Sequence, residues 1–170
     1  MIRTETVLDS WKTVRQDTAQ AIEDFPKGEL DFKPTGDVMT FREIGRHILD
    51  AGHALTGLLL DGVENFNTPQ FREMLKKYTA ELPETPDGAA LASALRQSVE
   101  MRASQLAGQT PEFFAQVITR FDGQRVTRLE MVQFTKEHEL THRAQLFLYL
   151  RLNGIVPATT RRRLAKQQQS

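Results

Sequence analysis

Two of the four histidines in this chain fall within His138-Glu139-Leu140-Thr141-His142. On a helix, residues four apart share a face with their Cβ atoms about 5–6 Å apart, so two imidazoles so placed can converge on one ion. The pattern reads H-E-x-x-H, in which a metalloprotease uses the intervening Glu as general base. Proteases of that type take a third ligand, a Glu or another His, from downstream of the motif. Residues 143–170 contain no Asp, Glu or His. A third ligand therefore has to come from upstream, and the protease reading becomes improbable.

The upstream candidates are His47 and His53. At about 100° per residue, Ile44, Ala51, Ala54, Leu55 and Leu58 project within about 80° of His47. His53 projects to the far side, with Arg42, Arg46 and Leu60. The periodicity thus predicts that His47 faces inward and His53 outward. Around His138 the inward stripe carries Met131, Phe134, Thr135, His142, Gln145, Tyr149 and Leu152. Three inward histidines on two helices make a facial set of nitrogen donors, with further coordination positions left for water or substrate.

Glu43 and Asp50 share the face of His47, where either would orient a ligand or complete the coordination. Glu139 projects about 100° from His138, a poor position for a base on a straight helix. Gln145, one turn after His142, fits a role supporting that ligand or plain core packing. Against all this, inward histidines are often hydrogen-bonded core residues, and i, i+4 pairs also arise on solvated helices. Both motif histidines lie on the apolar stripe, where an unpaired imidazole carries a desolvation cost, so the pattern favours metal.

The elements that must position these residues are well punctuated. Thr40-Phe41-Arg42-Glu43 and Thr127-Arg128-Leu129-Glu130 match the capping box. Thr68-Pro69, Thr85-Pro86 and Thr110-Pro111 each offer a capping hydroxyl followed by Pro at the first helical position. Val7, Trp11, Val14, Ala21 and Phe25 give a first helix one apolar face. A second helix is expected over roughly 40–60, a third from about Pro86 to Ala107, and a last from Thr127 to a glycine stop at Asn153-Gly154. Short helices are expected after Pro69 and Pro111, with a turn at Phe121-Asp122-Gly123. The fold class is all-α, a four-helix bundle over residues 1–160, and residues 161–170 read as a flexible basic tail.

Composition narrows the function. The 22 basic residues balance the 22 acidic ones, which argues against nucleic acid or an anionic membrane as a general partner. The Arg161-Arg162-Arg163 cluster is confined to the tail. With no cysteine, disulfides, thiolate nucleophiles and Cys-based zinc sites are excluded, and a cytoplasmic location is expected. No apolar run is long enough to cross a bilayer.

The segments Thr40-Phe41-Arg42-Glu43-Ile44-Gly45-Arg46-His47 and Glu137-His138-Glu139-Leu140-Thr141-His142-Arg143-Ala144-Gln145 resemble the DinB-like metal-binding proteins, as do Leu30-Asp31-Phe32-Lys33-Pro34 and the ending Leu148 to Pro157. The resemblance implies an up-down-down-up bundle, frequently a homodimer, holding nickel or zinc through one histidine of the second helix and two of the last. These positions fall on His47, His138 and His142. It also implies, without fixing a reaction, a thiol S-transferase using bacillithiol, mycothiol or glutathione, or a small hydrolase. A non-catalytic stress-response module with a structural metal is the alternative. A second apolar stripe, Leu140, Ala144 and Phe147, is expected either to pack internally or to meet a second copy.

Overall fold

The computed structural model describes residues 3–168. Its elements are α1 (Thr4–Asp24), α2 (Phe41–Leu60), α3 (Phe71–Lys76), α4 (Gly88–Ala107), α5 (Pro111–Ala115), β1 (Val117–Thr119), β2 (Arg125–Thr127), α6 (Arg128–Leu152) and α7 (Ala158–Gln167). The four long helices α1, α2, α4 and α6 form the bundle. Each of α1 and α2 packs against both α4 and α6. Chain direction follows from the residues that meet. Trp11 reaches Glu139 and Asp17 reaches Arg143, so α1 and α6 run parallel. Lys12 pairs with Glu100 and Glu23 with Arg96, so α4 is antiparallel to α1. Met39 meets Tyr149 while His47 meets His138, so α2 is antiparallel to α6. The order is up-down-down-up.

Both expected capping boxes form. Thr40 accepts from the Glu43 amide while Glu43 takes the Thr40 amide, and Thr127 and Glu130 do the same at the start of α6. These caps fix where the two histidine-bearing helices begin. Thr110 caps α5 with Pro111 at its start. The other two Thr-Pro pairs do not cap. Asp87 accepts from the Ala90 amide at 2.7 Å and starts α4 one residue after Pro86, and α3 begins only at Phe71. At the far end of α6, Gly154 adopts φ +73°, and the Ile155 amide returns to the Leu150 carbonyl. That is a left-handed stop in which glycine carries no Cβ penalty.

The interior has two apolar clusters. One gathers Ile22, Phe25, Phe41, Ile48, Leu91 and Leu146 at one end of the bundle. The other gathers Trp11, Leu58, Phe66, Leu106, Ile118 and Met131. The turn expected at Phe121–Gly123 joins β1 and β2 into an antiparallel hairpin, with Ile118 opposite Val126 and Gly123 at φ +85°.

Other expectations are altered or decided. The segment read as a flexible tail is helical as far as Gln167, and Arg161 and Arg162 of α7 pair with Asp24 and Asp17 of α1. Charge complementarity to α1 gives those arginines a surface to settle on. Gln145 is exposed and Leu152 is 56% exposed, although both project onto the inward stripe. Helix α2 begins opposite Tyr149, so Leu152 lies beyond the start of that neighbour. Of the second stripe, Phe147 packs against the first apolar cluster while Ala144 stays exposed.

Candidate metal centre

His47 sits two turns into α2, and His138 and His142 sit one turn apart midway along antiparallel α6. The three rings meet edge to face, with centres 4.9 Å (His47–His138), 4.6 Å (His47–His142) and 4.6 Å (His138–His142) apart. One ligand nitrogen from each lies within 4.8 Å of the others. The Nε2 atoms of His47 and His138 are 3.1 Å apart. Bonds of about 2.0–2.1 Å place neighbouring imidazole nitrogens about 2.9–3.4 Å apart, from right-angled to tetrahedral geometry. The observed spacing fits that range, so the donor set is of the right kind and size for a first-row divalent ion.

The electrostatics favour the neutral form of His47 and His138. Burial pushes His138 down to about 4, helped by His142 and then His47. Burial also lowers His47, with His142 acting in the same direction and Asp50 against it. A neutral imidazole is what metal coordination requires. His142 has a second contact, its Nδ1 lying 2.8 Å from Gln145 Oε1. The amide oxygen accepts the Nδ1 proton, which leaves Nε2 as the lone-pair donor.

The carboxylates named as possible partners go elsewhere. Glu43 is spent on its capping box. Asp50 accepts from Arg46 at 2.8 Å and from the Ala80 amide at 3.2 Å, tying the segment after α3 to α2. Glu139 turns away from the triad toward α1. It accepts from Trp11 Nε1 (2.9 Å), Arg15 Nε (2.9 Å) and Thr18 Oγ1 (2.8 Å), and it is 1% exposed. Among the described residues no carboxylate joins the three histidines.

His53 does not point to solvent as expected. It is half-buried against α4, with Nδ1 3.1 Å from Ser98 Oγ and Nε2 3.1 Å from Arg102 Nη2. Arginine only donates, so Nε2 accepts and Nδ1–H donates to Ser98. Helix α2 has two helical neighbours, and the side facing away from α6 faces α4. Burial and the Arg102 charge lower His53 to about 4.

The anchors of Glu139 were missed as such. Trp11 read correctly as core, but Arg15 follows it by four residues, on the inward stripe of α1. A guanidinium there required a buried acid, and that signal was present in the sequence.

Over residues 1–169 the sequence matches the DinB family. It is 23% identical over 154 residues to the uncharacterised protein YjoA of Bacillus subtilis, covering 91% of this chain and 93% of that one. The crystal structure of YjoA superposes with a TM-score of 0.68 over 88% of this chain and 92% of its own. YfiT of Bacillus subtilis, described as a probable metal-dependent hydrolase with an unusual four-helix bundle topology, gives 0.70 at 18% identity over 91% of each chain. A mycothiol-dependent maleylpyruvate isomerase gives 0.63 at 14% identity, over 85% of this chain and 61% of the other. At these identities the structural matches speak for the fold, and the matching of family and whole chain settles the kinship. The chain belongs to the DinB family.

Proposed function

We propose that His47, His138 and His142 hold one divalent ion, nickel or zinc, and that the protein is a metal-dependent enzyme of the cytoplasm acting on small molecules, with no nucleic-acid partner. The observation that carries this reading is the 3.1 Å approach of the His47 and His138 Nε2 atoms within a three-histidine cluster. When bound, such an ion supplies Lewis acidity that lowers the pKa of an approaching thiol or water.

Of the two reactions considered, thiol S-transfer fits the residues better than hydrolysis. Glu43, Asp50 and Glu139 are all engaged away from the triad, so none of these three carboxylates is free to act as a general base there. A thiol gives up its proton far more readily than water does, so it is the nucleophile that needs least help. The chain has no cysteine, so the thiol is a low-molecular-weight cosubstrate. The known fold relatives include a mycothiol-dependent isomerase and a probable metal-dependent hydrolase. The test is a panel of bacillithiol, mycothiol and glutathione against simple electrophiles, using metal-loaded protein. Turnover with one thiol, lost in His47→Ala, supports the reading, and turnover unchanged in that variant overturns it.

A homodimer is part of the same proposal. Ala144, Leu148 and Leu152 follow one another at helical spacing on α6, with Leu148 53% and Leu152 56% exposed. An apolar stripe left in water at one helix face is the self-complementary surface a two-fold pair uses. Light scattering of wild type against Leu148→Glu checks it, with a dimer expected to become a monomer.

A further inference from the structure

Beside the triad, at the margin of the second apolar cluster, lies a row of partly buried aromatic rings. Phe134 stands one turn before His138 on α6, its ring centre 6.3 Å from that imidazole. Phe121, from the β1–β2 turn, meets Phe134 edge-on at 5.4 Å. Phe71, the first residue of α3, stacks on Phe121 at 5.4 Å and 20°. All three are only partly buried. We propose that this row is the substrate-facing shelf of the histidine site, and that its ligand is a small molecule with a metal-binding head on a flat apolar body, an aryl group above all. The inference rests on the metal reading given above.

Two arguments support it. First, the shelf is continuous with the donor set, so a head group at the histidines brings its body onto Phe134 and Phe121. Offset and edge-to-face ring packing of this kind adds attraction beyond simple burial. Second, the shelf is rigid before any ligand arrives. Arg120 lies over Phe134 with its guanidinium carbon 4.9 Å from the ring centre, and Asp122 holds Arg120 at 3.0 and 2.6 Å. The Phe66 amide donates to the Thr119 carbonyl, and the Thr119 amide to that of Glu64, which stitches the hairpin to the segment leading into α3. Fully buried Phe66 backs Phe71 at 6.2 Å. A surface fixed in advance loses little entropy on binding.

The test compares two probes with the same head, acetohydroxamate and benzohydroxamate, by calorimetry on nickel-loaded wild-type protein. Benzohydroxamate should bind about tenfold tighter or more. In Phe121→Ala and in the milder Phe71→Leu that advantage should shrink severalfold while acetohydroxamate binds as before. Equal affinity of the two probes in wild type overturns the shelf while the metal reading stands, and this arm needs no variant to fold. An advantage that persists in both variants also overturns it. Nickel bound with neither probe retained rules out a ligand shelf open to the metal. Protein that takes up no nickel defeats the metal reading, and this inference falls with it.

Discussion

Arg15 and Glu139 form an ion pair of 2.9 Å with side-chain exposures of 1% and 2%, joining α1 to α6 through the middle residue of the histidine motif. Trp11 and Thr18 donate to the same carboxylate, so every hydrogen bond it accepts comes from α1. The acid that H-E-x-x-H assigns to proton transfer is here a strut, and it holds the rotation of α6 that turns His138 and His142 toward α2. Gly52 contributes space: a Cβ there would come within 2.7 Å of Arg15 Nη2.

Removing one member of that pair leaves a buried charge alone. Glu139→Ala is expected to destabilise the fold by about 3–5 kcal/mol, while Arg15→Met/Glu139→Leu costs markedly less because neither charge is then stranded. Thermal or urea unfolding of the two variants checks this. A Glu139→Ala protein as stable as wild type would show that the pair contributes nothing.

The ligand assignment separates three histidines from the fourth. His138→Ala should lower metal affinity by more than a hundredfold. Gln145→Ala, which removes the acceptor at His142 Nδ1, should lower it by about 10–100-fold. His53→Gln should leave metal stoichiometry unchanged. Competition with a chromogenic chelator measures all three, and loss of metal in His53→Gln would contradict the assignment.

His53 also makes a pH prediction. Its folded pKa is lowered from 6.5 to about 4 by burial first and Arg102 second. The unfolded chain therefore takes up a proton on His53 between those values while the folded one does not. Its contribution to stability is complete above pH 6.5 and is lost as pH falls toward 4. Tyr78, Asp50 and Arg15 are the other charged or titratable groups around it. Metal-free protein should melt at progressively lower temperature over that interval, and His53→Gln should flatten the slope. An identical slope in the variant would refute the assignment.

Helix starts make a smaller prediction. Thr40→Ala removes the hydroxyl that takes the Glu43 amide at 3.1 Å and should cost about 1 kcal/mol. Metal stoichiometry should not change, because His47 lies two turns inside the helix. Denaturant unfolding with parallel metal analysis checks both halves.

How far the sequence carried depended on the kind of signal. The capping boxes at Thr40 and Thr127 and the Gly154 stop were legible because they are local, set by residues within one turn of each other. The convergence of His47, His138 and His142 was legible because one apolar stripe sufficed to orient each helix. His53 was misplaced because a projection from a single face cannot see a second neighbour, here α4 with Ser98 and Arg102. Glu139 projected away from His138, but its partner lay 124 residues away, and only tertiary packing brings Arg15 to it. The ring shelf escaped notice for the same reason, since Phe71, Phe121 and Phe134 come from three separate elements.

The central claim is that His47, His138 and His142 together hold one metal ion. Elemental analysis of untagged protein, purified without chelators, tests it most directly. About one nickel or zinc per chain, falling to near zero in His142→Ala with the fold retained, is the predicted result. Wild-type protein that carries no divalent metal and takes up none from nickel or zinc solutions would contradict it.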